Sequence, residues 1–457
     1  MKVDSADNKI GRTGKEQYIE ILVFSVLCLF MISPLVQTVR EFIAPHKETP
    51  FGPLRTYPNT IGIINVLAAI VAILLWGLLL LHVKREWQQG RKPKVFLPLA
   101  VFGALALWIY ISQTVNGFTE IAYVGDNYRS ESLFTFILYL IGYFFLGVVL
   151  QSDRLRKALC IVFLGTNLII GILSLIDHYI SPLAVFSDSD GMAAIFNQFN
   201  HYGYYLVLAI LISAVLFIAA GEPIWLRVFC AVVFVTDNVI LILNNTFGCY
   251  LAVIAALVFG TAVVIIGRRN RGEIIRALIV CGAFVVITVS MHLLNHSAAK
   301  DVTKLVDDIG KIAADDEKAK YAGTGRWSLW THTVEYIKVK PVFGWGVEGT
   351  SEMLQIETKG INSRPHNEYL QWAAFFGIPA TLLYFAALCL VMFGMFPRVR
   401  KADAVSLACF VAAAGYIASS FVGNTMYYTT PFFFIFLGMT CRDRYYKKRN
   451  DAELERK

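Results

Sequence analysis

Apolar residues do not alternate singly with polar ones along this chain. They run in blocks of about twenty, broken by short charged stretches or by Gly and Pro. Twelve blocks lie near residues 19–37, 61–83, 95–116, 131–150, 158–180, 199–220, 228–244, 246–266, 276–294, 366–396, 404–423 and 431–441. About 20 helical residues, each rising 1.5 Å, cross the roughly 30 Å of hydrocarbon in a bilayer. The pattern predicts an all-α fold: a polytopic transmembrane helical bundle of about 12 spans. A polar stretch precedes the first block and no small-residue cleavage site follows it, so that block reads as a span rather than a removable leader. No period of 20 to 50 residues recurs, and no inverted pair of broken spans suggests a transporter.

The division that follows is a cytoplasmic N-terminus at 1–18, nine spans over 19–294 and one large extracytoplasmic loop at 295–365. Three more spans cover 366–441, and a basic cytoplasmic tail closes the chain at 442–457. Charge sets the orientation. Of the 41 Lys and Arg, 27 fall in the termini and in alternate loops, 4 in the short loops opposite, and 10 in the long loop. Both termini are therefore expected in the cytoplasm. No span carries a Lys or Arg in its interior. With 56% hydrophobic and only 16% charged residues, a soluble chain is excluded, and the net charge of +8 points to anionic lipid rather than nucleic acid. The eight Cys form no CxxC and none lies in the long loop, so neither a disulfide framework nor zinc is expected. No cofactor is expected either.

The long loop has internal structure. In "GRWSLWTHTVEYIKVKP", Trp327, Trp330, Val334 and Ile337 recur at helical spacing, and Pro341 ends the run. This predicts an amphipathic helix lying on the outer membrane surface. "GWGVEG" formally matches GxGxxG at Gly344, Gly346 and Gly349 but lacks a flanking strand, so it reads as a turn.

Candidate chemistry gathers beyond that turn, in "SRPHNEYLQWAAFFGIP" at 363–379. Pro365 suits the first turn of a helix, which would put His366 near a helix N-terminus. There the dipole favours a phosphate and keeps the imidazole neutral, able to accept a proton. A continuous helix over 366–396 would be about 46 Å long, too long for one span at 1.5 Å per residue. Residues 366–376 thus read as interfacial, with the span beginning after Gly377-Ile378-Pro379. The alternative is that His366 is an interfacial polar residue beside Tyr369 and Trp372. Arg326 follows Gly323 and Gly325, and its planar fork suits either a bound phosphate or lipid headgroups. Asn197, Gln198, Asn200 and His201 cluster at the start of the sixth block, where amides serve sugar hydroxyls or a helix cap. Asp237, beside Asn238, lies mid-span as a possible intramembrane polar site: a functional acid or an interhelical hydrogen bond. Arg129 and Arg364 are further outer-face cations or markers of the membrane boundary.

Together these segments resemble the O-antigen ligase and Wzy-type polymerase superfamily of bacterial membrane glycosyltransferases. "FNQFNHYGYYLVLA" is similar to its Asn-Pro-Asn helix start, and "GTGRWSLWTHTVEYIKVKPVFGWGV" to its Gly-Arg…Trp…Pro-x-x-Gly-x-Gly segment. "HNEYLQWAAFFGIPATLLYF" resembles its His-Asn-x-Tyr-Leu-Gln…Gly-Ile helix. The resemblance runs in order along the C-terminal two-thirds. It implies transfer of a glycan from an undecaprenyl-diphosphate-linked donor to a glycan or lipid acceptor hydroxyl. That transfer takes place on the outer face of the plasma membrane, without metal or nucleotide sugar, and it leaves room for partners in polysaccharide assembly. His366 matches the family's proposed general base, and Arg326 the Arg proposed to engage the diphosphate. Asn197, Asn200 and the neighbouring Asn367 follow as substrate-binding positions. Direct displacement would invert the anomeric carbon. One departure stands out: Phe247 occupies the place of a family Arg in "NNTFGCYLA", leaving Arg129 or Arg364 to supply that cation. The competing class is a polysaccharide or lipid flippase or transporter, which the span count also allows.

Overall fold

The structure is a computed structural model that describes residues 14–43, 48–49, 52–53, 57–89, 96–125, 130–181, 183, 192–196, 198–295, 307, 310–311, 314, 322–323, 325–357 and 363–441. Among them the regular structure is helical, apart from a two-residue pairing of Glu48–Thr49 with Gly52–Pro53. The first half comprises α1 (Gly14–Ile43), α2 (Tyr57–Gln88), α3 (Leu97–Asn116), a short α4 (Glu120–Val124), α5 (Leu133–Val149) and α6 (Asp153–Tyr179). Next come α7 (Phe199–Ile218), α8 (Ile224–Asn244), α9 (Phe247–Arg268) and α10 (Arg271–Asn295). The long loop contains α11 (Arg326–Val339) and α12 (Ser351–Glu357). The chain then continues through α13 (Glu368–Phe376), α14 (Ile378–Met395), α15 (Ala404–Ser419) and α16 (Thr430–Met439).

Ten of the described helices are long and apolar enough to cross a membrane, and α5 and α16 are shorter apolar helices. Each of the twelve apolar blocks thus falls on a helix. The structure is a polytopic helical bundle. Hydrophobicity all round a helix marks one buried on every side. That is α7, buried along nearly its whole length and packed by α8, α9 and α15. At the periphery, α2 turns Ile63, Val66, Ile70, Ile73 and Leu74 outward. On α10, Ile275, Leu278, Val285 and Val286 are exposed in the same way. Such rows suit lipid.

The block at 431–441 is only about ten residues long, and its packing explains how so short a helix is held. Every residue of α16 is buried. Its backbone meets that of α5 at two glycines: a Cβ on Gly147 would lie 2.3 Å from the Ile435 carbonyl oxygen, and one on Gly438 would lie 2.2 Å from that of Phe144. Small residues let helix backbones approach this closely, adding dispersion contacts that larger side chains would prevent.

At the opposite end from the His366 loop, a buried arginine ties three helices. Arg156 on α6 donates from Nη1 to Asp403 Oδ2 at 3.1 Å, and from Nη2 to Ser406 Oγ at 2.7 Å and the Met439 carbonyl at 2.8 Å. Asp403 also caps α15 by accepting from Ser406 N at 2.9 Å.

Two expectations need correction. The loop helix begins at Arg326 and ends before Pro341 as predicted, but its buried stripe is Leu329, Thr333 and Ile337. Trp327 and Val334 are exposed. A packed helix buries whichever stripe meets its neighbour, and this one packs on α13. Second, Pro365 and His366 do not open a helix. The helix starts at Glu368, and the side chain of Asn367 caps it.

Gly147→Ala is expected to lower the thermal midpoint of the detergent-purified protein, losing about 1–3 kcal/mol through forced separation of α5 and α16. Gly165→Ala, where a Cβ meets nothing within 4 Å, serves as control and leaves the midpoint unchanged.

Candidate functional site

The Gly-rich turn after α11 explains why the next helix is broken. Ending a helix exposes carbonyls that need donors. Here Trp345 N donates to the Ala374 carbonyl at 2.9 Å and Gly346 N to that of Phe375 at 2.8 Å. Trp108 Nε1 on α3 reaches the Phe376 carbonyl at 3.0 Å. In return Ile378 N donates to the Pro341 carbonyl at 2.8 Å. Gly377, at φ +87°, could not be replaced without collision, since a Cβ there would lie 1.9 Å from the Val342 carbonyl oxygen. The "GWG" segment is therefore a turn, and it caps the C-terminus of α13. The interruption at Gly377 and Ile378 separates α13 from the span α14, as the sequence suggests.

Arg364 lies beneath the loop that leads into α13. It is fully buried between Glu131 and Glu348. Nη1 lies 2.5 Å from Glu131 Oε2 and 3.0 Å from the Thr425 carbonyl. Nε lies 2.7 Å from Glu348 Oε1, and Nη2 bonds the same oxygen. The remaining carboxylate oxygens are occupied too: Tyr139 Oη donates to Glu131 Oε1 at 3.0 Å, and Ser351 Oγ to Glu348 Oε2. Burial alone would lower the guanidinium pKa, but the two carboxylates outweigh it and hold the group firmly protonated. Its hydrogen bonds thus go to protein groups, which gives Arg364 a scaffolding part in place of the expected outer-face cation.

The turn between α15 and α16 receives the rest of the loop. His366 N donates to Asn424 Oδ1 at 2.8 Å. Asn367 caps α13 through Oδ1, which accepts from Leu370 N at 3.0 Å, while its Nδ2 donates to the Phe421 carbonyl at 3.0 Å. Gln371 and Thr425 bond reciprocally: Gln371 Nε2 to Thr425 Oγ1 at 2.7 Å, and Thr425 N to Gln371 Oε1 at 3.1 Å. His366 itself is half-buried at φ +51°, a left-handed conformation uncommon outside glycine. Its neighbour Glu368 points inward, fully buried, and accepts from Tyr384 Oη at 2.6 Å. Burial raises that carboxyl to about 7, against the hydrogen bond from Tyr384.

Arg326 is the first residue of α11, half-buried behind Gly325 at φ +85°. It comes within electrostatic reach of Tyr204 on α7 and Cys249 on α9. Tyr204 Oη donates to the Ser419 carbonyl at 2.9 Å and packs directly against Gly423, next to Asn424. Tyr204 thus links the surroundings of Arg326 to the turn that holds the His366 backbone. Phe247, the first residue of α9, is half-buried there, and the adjacent Gly248 abuts Val422.

Asn200 is the second residue of α7 and is nearly buried, but the N-cap position is Gln198, whose side chain makes no capping bond. His201 Nδ1 lies 3.0 Å from the Phe196 carbonyl, and its ring is 5.3 Å from that of Tyr428. Asp237 is fully buried on α8 and accepts from Asn167 Nδ2 of α6 at 2.6 Å, an interhelical bond. Asn197 and Arg129 lie outside the described residues. No cluster of three or more His, Cys, Asp or Glu able to hold a metal occurs among the described residues.

Sequence reasoning missed Glu131, Glu348, Asn424, Thr425 and Tyr204. The available signals were an acid at the very start of the fourth apolar block, and the polar run "GNTMYYTT" between the last two.

Residues 229–385 match the family model described as O-antigen ligase, a segment that includes both Arg326 and His366. That match is consistent with the O-antigen ligase and Wzy-type superfamily. No curated protein matches the chain.

Arg364→Met is expected to destabilise the protein by about 3–5 kcal/mol, because it strands two buried carboxylates. Adding Glu131→Gln and Glu348→Gln should restore part of the lost thermal midpoint. A carboxyl pKa raised on folding stabilises the fold at low pH, and that stability is lost as pH rises through the folded value. The midpoint should therefore fall between about pH 4.5 and about pH 7 on account of Glu368. Glu368→Gln should remove this part of the pH dependence.

Proposed function

We propose that this protein is an integral membrane glycosyltransferase that moves a glycan from undecaprenyl diphosphate to an acceptor hydroxyl on the outer face of a bacterial plasma membrane. The acceptor is a second glycan or a lipid-linked sugar, which makes the reaction that of an O-antigen ligase or a polysaccharide polymerase. The observation that carries the reading is His366: a half-buried imidazole on a left-handed backbone, fixed to a buried scaffold, within the segment that matches the O-antigen ligase model.

In this reading His366 is the general base. The acceptor hydroxyl attacks the anomeric carbon and forms the new C–O bond, and its proton passes to the imidazole. The bond from the anomeric carbon to the phosphate oxygen breaks, and its electron pair leaves with the diphosphate. Diphosphate is already a good leaving group, so the protein's task is to align the acceptor and stabilise the charge that develops. Arg326 supplies that stabilisation through its planar fork of donors. Attack opposite the leaving group inverts the anomeric configuration. Asn200, at the start of α7, offers an amide to sugar hydroxyls. Asn367 takes a different part from the one its sequence position suggests: both ends of its amide hold the loop in place. With the basic loops in the cytoplasm, the His366 loop faces outward.

His366→Ala and Arg326→Ala are each expected to cut transfer by about 100-fold or more, the usual worth of a positioned base or charge-stabilising donor. Surface glycan should be lost while undecaprenyl-diphosphate-linked units accumulate on the outer face. Phe247→Ala, which removes neither a charge nor a proton acceptor, should leave the glycan intact. Accumulation of the units on the inner face would instead indicate a flippase. Normal glycan from His366→Ala would rule out that residue as the base.

A further inference from the structure

We infer that Asn424 is a positioning residue for His366: its side-chain oxygen holds the backbone of the histidine in the conformation that presents the imidazole to substrate. The inference rests on the proposed role of His366 as base. It starts from the backbone. His366 is one of few described non-glycine residues at positive φ, at +51°, where an L side chain crowds its own backbone. Such a conformation persists only when neighbouring groups over-determine it, and it tends to mark functional sites.

The neighbouring group is specific. The His366 N–H donates to Asn424 Oδ1 at 2.8 Å, across 58 residues of sequence. Asn424 is itself almost fully buried, at 2% exposure, so its carbonyl oxygen has little freedom to turn elsewhere. The turn that carries it is fixed from both sides. Before it, Gly423 lies so close to Tyr204 Oη that a Cβ would overlap the hydroxyl, which excludes any larger residue. After it, Thr425 is bound by Gln371, Arg364 and Glu131. On the loop side, Pro365 precedes His366 and the capping residue Asn367 follows it, with its own amide tied to the Phe421 carbonyl. The bond from Asn424 thus falls on the histidine's own backbone N–H, between two anchored neighbours. Without an acceptor there, the left-handed backbone loses its compensation, and relaxation of φ would swing the imidazole away.

The test uses the full-length protein reconstituted in vesicles, with lipid-linked glycan extracted from a strain lacking this protein as donor. Asn424→Ala removes the acceptor; Asn424→Asp keeps an oxygen in its place. The alanine variant is expected to lose at least tenfold in kcat while KM for the donor stays within about threefold, since the loss falls on the reacting step. The aspartate variant should recover most of that kcat. Its carboxylate, close to His366, favours the imidazolium and raises its pKa, so the acidic limb of the pH–rate profile should move to higher pH. A purely structural role predicts instead that both variants fall together in thermal midpoint, with the pH profile unmoved. That result overturns the inference, as does wild-type kcat in Asn424→Ala or failure of both variants to accumulate in membranes. His366→Ala is measured alongside. If it turns over normally, the reading of His366 as base fails; if it is inactive while Asn424→Ala is fully active, only the positioning role of Asn424 fails.

Discussion

A single guanidinium sealed between two carboxylates holds together the end of the bundle that carries the candidate site. Arg364 precedes His366 by two residues, Glu131 stands at the mouth of α5, and Glu348 belongs to the Gly-rich turn. An ion cluster taken out of water gains only if its geometry is good and its leftover lone pairs find donors. Both conditions hold here. Tyr139, Thr425 and Ser351 supply the extra donors, so each carboxylate oxygen has a partner. Hydroxyl donors ease the burden of two acids against one base, and burial itself raises the carboxyl pKa of Glu131. Glu131, the stretch from Glu348 to Arg364, and Thr425 meet at one buried point, and the loop bearing His366 is anchored there.

The rest of the site follows from that anchor by short steps. With Arg364 fixed, Gln371 and Thr425 can pair reciprocally, Asn367 can reach Phe421, and Asn424 can meet the backbone of His366. The broken helix is used in the same way. A continuous α13 and α14 would have spent their carbonyls on each other; the break frees three of them for Trp345, Gly346 and Trp108. The Gly-rich turn is thereby held against α13, and α11, with Arg326 at its start, packs on that same short helix. Rigid placement of two half-buried polar groups is what general-base and charge-stabilising roles require. Mobility on the scale of an ordinary surface loop would forfeit it.

The parts legible in the sequence are those decided by local physics. Block length specifies spans, Gly377 and Pro379 specify a break, Pro341 ends a helix, and the spacing of "GWG" without a strand specifies a turn. Partnership across the chain is another matter. Arg364 and Glu131 are separated by 233 positions, and nothing in apolar periodicity says that they meet. Arg364 therefore reads as an exposed cation until its neighbours are seen. The phase of α11 misleads for a related reason: Trp marks a membrane interface by composition, yet the helix turns Leu329 and Ile337 inward because α13 is there to receive them. His366 is recognisable by its company in sequence, while its left-handed backbone and its bond to Asn424 are not.

We propose that glycan transfer takes place at the His366 loop. The purified full-length protein can be placed in vesicles with lipid-linked glycan donor and an acceptor glycan, and the linkage followed chemically. The expected product is a new glycosidic bond of inverted anomeric configuration, with one undecaprenyl diphosphate released for each bond formed. Movement of intact lipid-linked glycan across the bilayer, with no bond formed and no carrier released, would contradict it.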